Sequence, residues 1–295
     1  MSRRRIFLYI IMGLLVVADV SAENLFHVAV SIEPQRYFVN RIGGSHVKVS
    51  VMLPPGANPE VYEPRPQQMA ALAQAKVYFS VGVPFEKAWL PRFLASNPKI
   101  VVVATDAGIA KRSPKKGYDS KSQAMRDGRT EGSFDPHVWL SPPLVMLQAR
   151  HIVATLCRLD PRNRSDYENN YARFITDIVQ LDARLRALFD NAKRKQFMVY
   201  HPAWGYFAEA YGLQQLPVEL EGKPPKGRQL KKLIALARYY HIRTVFVQPQ
   251  FALRNAKIIA GTIGAELVTI DPLAYEWVDN LLDVGKKIRA SLIEK

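Results

Sequence analysis

One pattern constrains the fold of this 295-residue chain most, and it occurs twice along the sequence. In each half, four short predicted strands are separated by longer helical segments. Each candidate strand is a run of β-branched or aromatic residues, and several of the intervening segments have the periodicity of amphipathic helices. The candidate strands are 25–30, 47–53, 77–81 and 100–104 in the first half, and 197–200, 216–220, 244–248 and 266–270 in the second. Because such alternation is typical of βα units, we predict an α/β protein of two similar lobes, each with a four-stranded, mainly parallel sheet.

One periodic segment between the two rounds predicts a long connecting helix. Its apolar side chains recur at alternating steps of four and three residues, which places them all on one helical face. They are Tyr167, Tyr171, Phe174, Ile178, Leu181, Leu185 and Leu188. A helix over 164–193 would be about 45 Å long, enough to run the height of both lobes. We therefore predict an N-terminal lobe at 23–160, a linking helix at 161–194 and a C-terminal lobe at 195–295. A coiled-coil dimer is the alternative to a monomer with the helix packed on its own lobes.

The first 22 residues have the pattern of a secretory signal peptide. Three arginines at positions 3–5 precede an apolar run, and small residues ending at Ala22 mark a cleavage point. The apolar run is shorter than the roughly 20 residues that a spanning helix needs, and an uncleaved anchor is the alternative. We expect export to the periplasm.

The formal net charge of +15 would favour nucleic-acid binding in a cytoplasmic protein. An exported protein meets membrane phosphates instead, so we expect no nucleic-acid partner. The stretch 111–133 has seven Lys or Arg against three acidic residues and no apolar periodicity. We predict a mobile surface loop there, with contact to an anionic membrane or a partner as the alternative to a solvated insertion. The single cysteine, Cys157, excludes an internal disulfide and a zinc site with two thiolates.

Four side chains stand where the carboxyl ends of strands would place a ligand. His201 and Asp271 directly follow predicted strands, and Glu60 lies in the turn after the second strand. His137 lies between the basic stretch and the next helix. Loops converge at the carboxyl ends of parallel strands, where binding crevices form. Each residue alone is more typical of a structural role, but two imidazoles and two carboxylates together form a nitrogen and oxygen set suited to zinc, manganese or ferrous iron.

The other four histidines are interpreted as structural or solvated. His27 lies in a predicted strand, His151 in a helix and His241 just before a strand. His46 follows two glycines and a serine, which is typical of a solvent-exposed turn.

Five separated stretches then resemble, in order, the zinc- and manganese-binding solute-binding proteins of bacterial ABC importers, the ZnuA/TroA-like family. The stretches are PPGANPEVYEPRPQQM, DPHVWLSP, YHPAWGYFAEAYGL, LEGKPP, and QPQF followed by TIDPL. The resemblance implies two βα lobes joined by one long rigid α-helix, a single divalent metal between them, and delivery of that metal to an ABC-transporter membrane permease. It implies Glu60, His137, His201 and Asp271 as the metal ligands.

The sequence departs from the family's pattern at Glu60, where the family usually has His. His201 favours zinc, since manganese members typically have Glu there, whereas a carboxylate at position 60 favours a harder ion such as Mn²⁺ or Fe²⁺. Glu63 turning inward in place of Glu60 is the alternative. The stretch 111–133 also lacks the histidines that zinc members often have in this region.

Four protein ligands would close a metal site, whereas hydrolytic zinc enzymes keep one position open for water. We therefore expect an extracytoplasmic carrier of Zn²⁺, with Mn²⁺ or Fe²⁺ as alternatives, and not an enzyme. A metallohydrolase with Glu60 as its base, or a surface adhesin that uses the basic stretch, are the remaining hypotheses.

Overall fold

The computed structural model describes residues 25–112, 134–219 and 225–293. Two four-stranded sheets, parallel throughout, confirm the predicted α/β class. The first has the order β2-β1-β3-β4 and the second repeats it as β6-β5-β7-β8. Their bounds are β1 Phe26–Val30, β2 Val47–Val51, β3 Val77–Ser80, β4 Val101–Ala104, β5 Gln196–Val199, β6 Gln214–Pro217, β7 Thr244–Val247 and β8 Glu266–Thr269.

The sixth strand lies two residues upstream of its predicted start. Gln214 pairs with Gln196, and the register continues to Pro217 beside Val199. Because β6 is an edge strand, its polar first residues are tolerated there, and they hide the strand's start in the sequence. The shift leaves Glu219 just beyond the carboxyl end of the strand, where its backbone N–H donates to Tyr200 O at 3.0 Å.

The helices of the described residues connect and cover these sheets. Their bounds are α1 Glu33–Gly43, α2 Pro66–Ala73, α3 Pro84–Ser96, α4 Pro142–Leu159, α5 Arg164–Phe189, α6 Gly205–Ala210, α7 Arg228–Tyr239, α8 Leu253–Ile263 and α9 Trp277–Ser291. Proline occupies the first turn of α2, α3 and α4, where its missing N–H has no helical partner to lose.

The long connecting helix is α5, which has 26 residues and is therefore about 39 Å long. Its predicted apolar face is confirmed, since Tyr167, Phe174 and Leu185 are fully buried. The helix ends at Phe189, four residues before the predicted end. Phe189 is the last buried residue of the face, and Lys195 Nζ donates to its carbonyl oxygen at 3.1 Å. The helix packs against α1, α4 and α9, and so contacts both lobes.

A single large core runs from the first lobe through α5 to the inner face of the second sheet. Along β5, Phe197 and Val199 belong to this core, whereas Met198 belongs to a smaller core beneath α7 and α8. This alternation is the period of two expected for a strand covered on both sides. Because the large core is continuous, the lobes are joined by packed side chains as well as by the helix.

Several hydrogen bonds join the lobes close to the carboxyl ends of the strands. Trp139 Nε1 donates to Pro272 O at 2.7 Å, and Trp277 Nε1 donates to Trp139 O at 2.7 Å. Tyr206 Oη donates to Asp135 O at 3.0 Å. These bonds hold the segment that carries His137 against the second lobe.

The proposed signal peptide at 1–22 and most of the basic stretch, 113–133, lie outside the described residues. Within the described ranges, no helix is long and apolar enough to span a bilayer. The lobe boundaries at 23–160, 161–194 and 195–295 stay a prediction.

Candidate metal site

The second sheet places its candidate ligands at the edge where its strands end. His201 lies two residues beyond β5, and Asp271 lies two residues beyond β8. From β5 the chain continues to β6 on one side of it, and then crosses to β7 on the other side. The crevice between β5 and β7 is therefore the topological switch point of the sheet. His201 therefore stands where an open parallel sheet binds its ligand.

The His201 side chain is nearly buried and held on three sides. Its Nδ1 lies 3.1 Å from Glu219 Oε2, and its ring stacks on Phe251 with centroids 4.3 Å apart. Gln248, which follows β7, accepts from the His201 backbone N–H at 3.3 Å and donates to its carbonyl at 2.9 Å. The contact of Glu219 with Nδ1 leaves Nε2 on the side of the ring that faces Glu60.

His137 has a similar arrangement in the first lobe. Its Nδ1 lies 2.8 Å from Asp135 Oδ1, which also accepts from the His137 backbone N–H at 3.0 Å. The imidazole packs between Trp139, at 5.1 Å, and His201, at 5.5 Å between ring centroids. The structure thus brings the two predicted histidines together from opposite lobes.

Glu60 approaches the same point from the loop between β2 and α2. Its Oε1 lies 3.6 Å from His201 Nε2, and its side chain is 34% exposed. The loop is turned by Asn58, whose Oδ1 accepts from the Glu60 backbone N–H at 2.9 Å. Glu63 is exposed on the same loop. Of the two carboxylates considered, Glu60 is therefore the one beside His201.

Asp271 is held next to this group but makes a different set of contacts. Its Oδ1 accepts from Gln250 Nε2 at 2.7 Å and from the Leu273 backbone N–H at 2.9 Å. Gln250 belongs to the same loop as Phe251, which stacks on His201. In the part of the chain that the structure describes, no ion pair or hydrogen bond joins the Asp271 carboxylate to His137, His201 or Glu60.

Within residues 25–112, 134–219 and 225–293, no three His, Cys, Asp or Glu side chains are grouped so as to hold a metal ion. The structure places Glu60 and His137 beside His201. Asp271 instead contacts Gln250, in the loop whose Phe251 stacks on His201. The four-ligand set stays a prediction.

Sequence reasoning missed the carboxylates that hold the two imidazoles, Glu219 and Asp135. Glu219 is buried and follows the end of β6, so the same strand-end argument that selected His201 would have found it once the true end of β6 was known. Asp135 lies two residues before His137, a spacing that allows contact with its ring and its backbone N–H together. Metal-bound histidines commonly donate their second N–H to such a carboxylate.

The charges at the site favour a cation. Three carboxylates, those of Glu60, Asp135 and Glu219, lie beside the two imidazoles in a chain whose formal net charge is +15. Acidic groups concentrated in a cleft of an otherwise basic protein attract positive ions.

The remaining histidines lie elsewhere, as expected, with one correction. His27 lies in β1, and His151 Nε2 lies 3.0 Å from Ala107 O. His46 is not a solvated turn residue: its side chain is only 16% exposed, and its Nε2 lies 2.7 Å from Asp166 Oδ2. The prediction failed because the carboxylate comes from the start of α5, more than a hundred residues away.

Two parallel α/β lobes joined by one long helix, with Glu60 and His137 of the first lobe beside His201 of the second, are typical of a two-lobed binding protein. A family model matches the sequence itself. The chain belongs to the ZnuA family, described as zinc-uptake complex component A, periplasmic, whose model matches residues 28–288.

Named relatives and solved structures agree with this family. The "High-affinity zinc uptake system protein ZnuA" of Bacillus subtilis (strain 168) is 28% identical over 271 residues, covering 89% of this chain and 83% of that protein. The "Manganese ABC transporter substrate-binding lipoprotein PsaA" of Streptococcus pneumoniae is 26% identical over 234 residues, covering 74% of this chain and 70% of that protein. A crystal structure of ZnuA superposes with a TM-score of 0.83 at 38% identity, covering 92% of this chain and 100% of that one.

Proposed function

We propose that this protein binds one divalent transition metal between its lobes and delivers it to the membrane permease of an ABC importer. The metal is Zn²⁺, with Mn²⁺ or Fe²⁺ as the alternatives. Glu60, His137, His201 and Asp271 are the proposed ligands.

The spacing of His201 and Glu60 is the observation that carries the proposal. At 3.6 Å, Nε2 and Oε1 are too far apart for a hydrogen bond. Two donors on one tetrahedral zinc ion, each bonded at about 2.05 Å, lie roughly 3.3 Å apart, so a small movement would admit an ion between them. The carboxylates of Glu219 and Asp135 support the same interpretation, because they leave both Nε2 atoms free to bind a metal.

Completion of the ligand set requires a local change at Asp271. Its carboxylate is held by Gln250 and by the backbone of Leu273. Binding of the ion would exchange the Gln250 hydrogen bond for a metal bond. We expect this movement to be confined to side chains and loops, because the core between the lobes is continuous.

The choice of zinc rests on the donor set. Imidazole nitrogen at His137 and His201 suits zinc, whereas the carboxylates of Glu60 and Asp271 are also acceptable to manganese. Both metals occur in the names of relatives, zinc in the Bacillus protein and manganese in the streptococcal one.

The location and partners follow from this proposal. Export through a signal peptide at 1–22 would place the protein in the periplasm as a monomeric carrier without nucleic-acid partners or enzymatic activity. A mobile surface loop at 111–133 stays the prediction, with contact to an anionic membrane or a partner as the alternative.

Direct metal analysis with histidine variants tests the function. After chelation and dialysis, zinc titration should show one site per chain, and His137→Ala and His201→Ala should each weaken it at least about tenfold, because each removes a direct donor. His151→Gln and His241→Gln, which lie away from the cleft, are the matched controls and should bind as the unaltered protein does. A protein that binds none of Zn²⁺, Mn²⁺ and Fe²⁺, or control variants that weaken equally, would show the proposal to be wrong.

A further inference from the structure

The outer layer of the second lobe lies in a stretch of sequence without any acidic residue. Between positions 225 and 265 there are eight Lys or Arg and no Asp or Glu. Both α7 and α8 lie in this stretch. A run of this length without a carboxylate is notable in a chain that has 26 of them.

The two helices present their basic residues on one side of the molecule. Both bury their apolar sides in the smaller core, through Leu233 and Ala237 of α7 and Ala256 and Ile259 of α8. Since they cover the same face of the sheet, their opposite sides face solvent together. We name this surface the basic face, and its exposed cations are Lys226, Arg228, Lys231, Arg238, Arg243, Arg254 and Lys257.

Some basic residues of the other long helices are paired with carboxylates. On α5, Arg186 pairs with Asp182 at 2.8 Å, and on α9, Lys287 pairs with Asp283 at 2.8 Å. No carboxylate of the described residues forms an ion pair with any of the seven exposed cations of the basic face. Their charges therefore add, and attract an anionic partner of matching extent.

Exposed amphipathic and apolar side chains accompany this charge. Tyr239, the last residue of α7, is 75% exposed, and Ile258 of α8 is 60% exposed. Leu253, the first residue of α8, is 41% exposed. Such side chains can enter the boundary between lipid headgroups and acyl chains while neighbouring Lys and Arg contact phosphates.

We propose that the basic face binds the anionic surface of a phospholipid bilayer. The charges are spread over two helices and the turns at their ends, and such a broad array matches a plane of lipid phosphates. Adsorption would confine the carrier to the membrane that contains its permease, and this purpose rests on the proposed function. Lipid binding itself requires no metal.

Vesicle co-sedimentation of the chain from residue 23 onward tests the proposal. Vesicles of phosphatidylglycerol and phosphatidylethanolamine should bind the protein, those of phosphatidylcholine alone should not, and added salt should weaken the binding. Replacing three cations of the basic face, in K231E/R238E/K257E, should weaken binding by about 100-fold or more, since each cation near an anionic membrane contributes roughly a factor of five to ten. The matched control, R150E/R158E/K286E, makes the same change in charge at exposed positions on α4 and α9 and should lose less than about threefold.

Three outcomes would overturn the proposal. The first is no binding of the unaltered chain to the anionic vesicles, and the second is an equal loss of binding in the two triple variants. The third is binding that survives K231E/R238E/K257E, which would belong to the stretch 113–133 instead. The zinc-induced rise in melting temperature should be the same in both triple variants. Its absence from the unaltered chain would contradict the proposed function without affecting the test of lipid binding.

Discussion

At the scale of single residues, the proposed ligand at position 60 is the one expected to set the metal preference of the site. Glu60 stands where the resemblance leads one to expect a histidine, and the structure places its Oε1 3.6 Å from His201 Nε2. A carboxylate here adds negative charge and an oxygen donor, and both lessen the preference of the site for zinc over harder ions.

Glu60→His should therefore tighten zinc binding relative to manganese binding. An imidazole would provide a third nitrogen donor and remove one negative charge, and we expect the ratio of the two affinities to rise by about tenfold or more. Competition titrations with both metals measure the ratio. Glu63→His, on the exposed part of the same loop, is the control and should leave it unchanged. A ratio that falls in Glu60→His would remove Glu60 from the ligand list.

The buried carboxylate behind His201 is expected to matter although it binds no metal itself. Glu219→Ala should lower zinc affinity by about 10- to 100-fold, because His201 loses the group that orients its ring. Glu219→Gln, which keeps an acceptor oxygen, should lose less. Glu266→Ala, at an exposed position on β8, is the control. Calorimetric titration of variants with normal melting curves checks the order, and equal affinities in all of them would contradict it.

A second buried carboxylate, Glu86, gives the first lobe a pH dependence. It lies in the first turn of α3 and accepts from the backbone N–H groups of Val81 at 2.9 Å and Gly82 at 2.8 Å, and from Ser31 Oγ. Burial raises the pKa of Glu86 to about 7, although these hydrogen bonds oppose the rise.

Because this pKa lies above the ordinary value of 4.5, the protonated carboxyl contributes stability that is fully present below about pH 4.5. As the pH rises from 4.5 to about 7, the unfolded chain ionises first and this contribution is lost. The loss amounts to about 3 kcal/mol of unfolding free energy. Glu86→Gln cannot titrate and should lack this decline, while Glu209→Gln at an exposed position should retain it. Urea unfolding across this range measures both, and parallel profiles for Glu86→Gln and the unaltered protein would refute the assignment.

At the scale of elements, the crossing of α5 and α9 depends on a glycine. A Cβ at Gly285 would lie 2.5 Å from Leu185 Cδ2. Leu185 is fully buried and has little room to move aside. The absence of a side chain at Gly285 therefore lets the two helices approach closely.

Gly285→Ala should destabilise the protein by about 1–3 kcal/mol through this overlap. Leu185→Ala in the same chain should relieve the overlap, so the double variant should lose less than the sum of the two single changes. Gly261→Ala in α8, where nothing lies within 4 Å of the added Cβ, is the matched control and should raise stability by up to about 1 kcal/mol. Denaturant unfolding compares these four variants with the unaltered protein, and equal effects at both glycines would contradict the close approach.

The elements themselves were largely predictable from the sequence, and their errors have physical causes. Strands covered by helices on both faces, such as β3 and β7, stand out as continuous β-branched or aromatic runs. The edge strand β6 does not, because its first residues are polar. The sequence predicts the end of α5 four residues too late, at 193 instead of Phe189. Lys195, whose Nζ donates to the Phe189 carbonyl oxygen, lies beyond the helix and therefore contributes nothing to its periodicity.

The candidate site was predictable only where a residue's type and its place after a strand were sufficient. That argument selected His201 and Asp271, but it could not show that Glu60 and His137 come to His201, since the contact joins two lobes. It also missed Glu219, whose role appears only when the end of β6 and the orientation of the His201 ring are known.

At the scale of the whole molecule, the lobes share one core although the sequence separates them. Phe38 of α1 packs on Trp277 of α9 with ring centroids 5.1 Å apart. Across the same junction, Trp277 Nε1 donates to Trp139 O, and Trp139 Nε1 donates to Pro272 O. Contacts between residues this far apart in the chain leave no local pattern, so periodicity predicts two lobes without showing how firmly they are joined.

This continuity makes a prediction about unfolding with and without metal. The described residues should unfold in one cooperative transition, because separating the lobes would expose the shared core. A metal that binds only the folded protein adds about 2.7 kcal/mol at 100 times its dissociation constant. For a chain of this size the midpoint should rise by about 5–10 °C. Since ligands from both lobes are proposed, the whole transition should move together.

Differential scanning calorimetry of the chelated protein, with and without added zinc, measures the number of transitions and their midpoints. A metal site confined to one lobe of two independent units would instead shift one transition and leave a second in place. His201→Ala should reduce the shift by about half or more while keeping a single transition, because it removes a ligand without opening the core between the lobes. Trp277→Ala should lower the unfolding midpoint even without metal. It removes the indole whose Nε1 donates to Trp139 O at 2.7 Å and so joins the lobes. Two separate transitions in the unaltered protein would show that the lobes are independent, and the packed junction would then not be what holds Glu60 and His137 to His201.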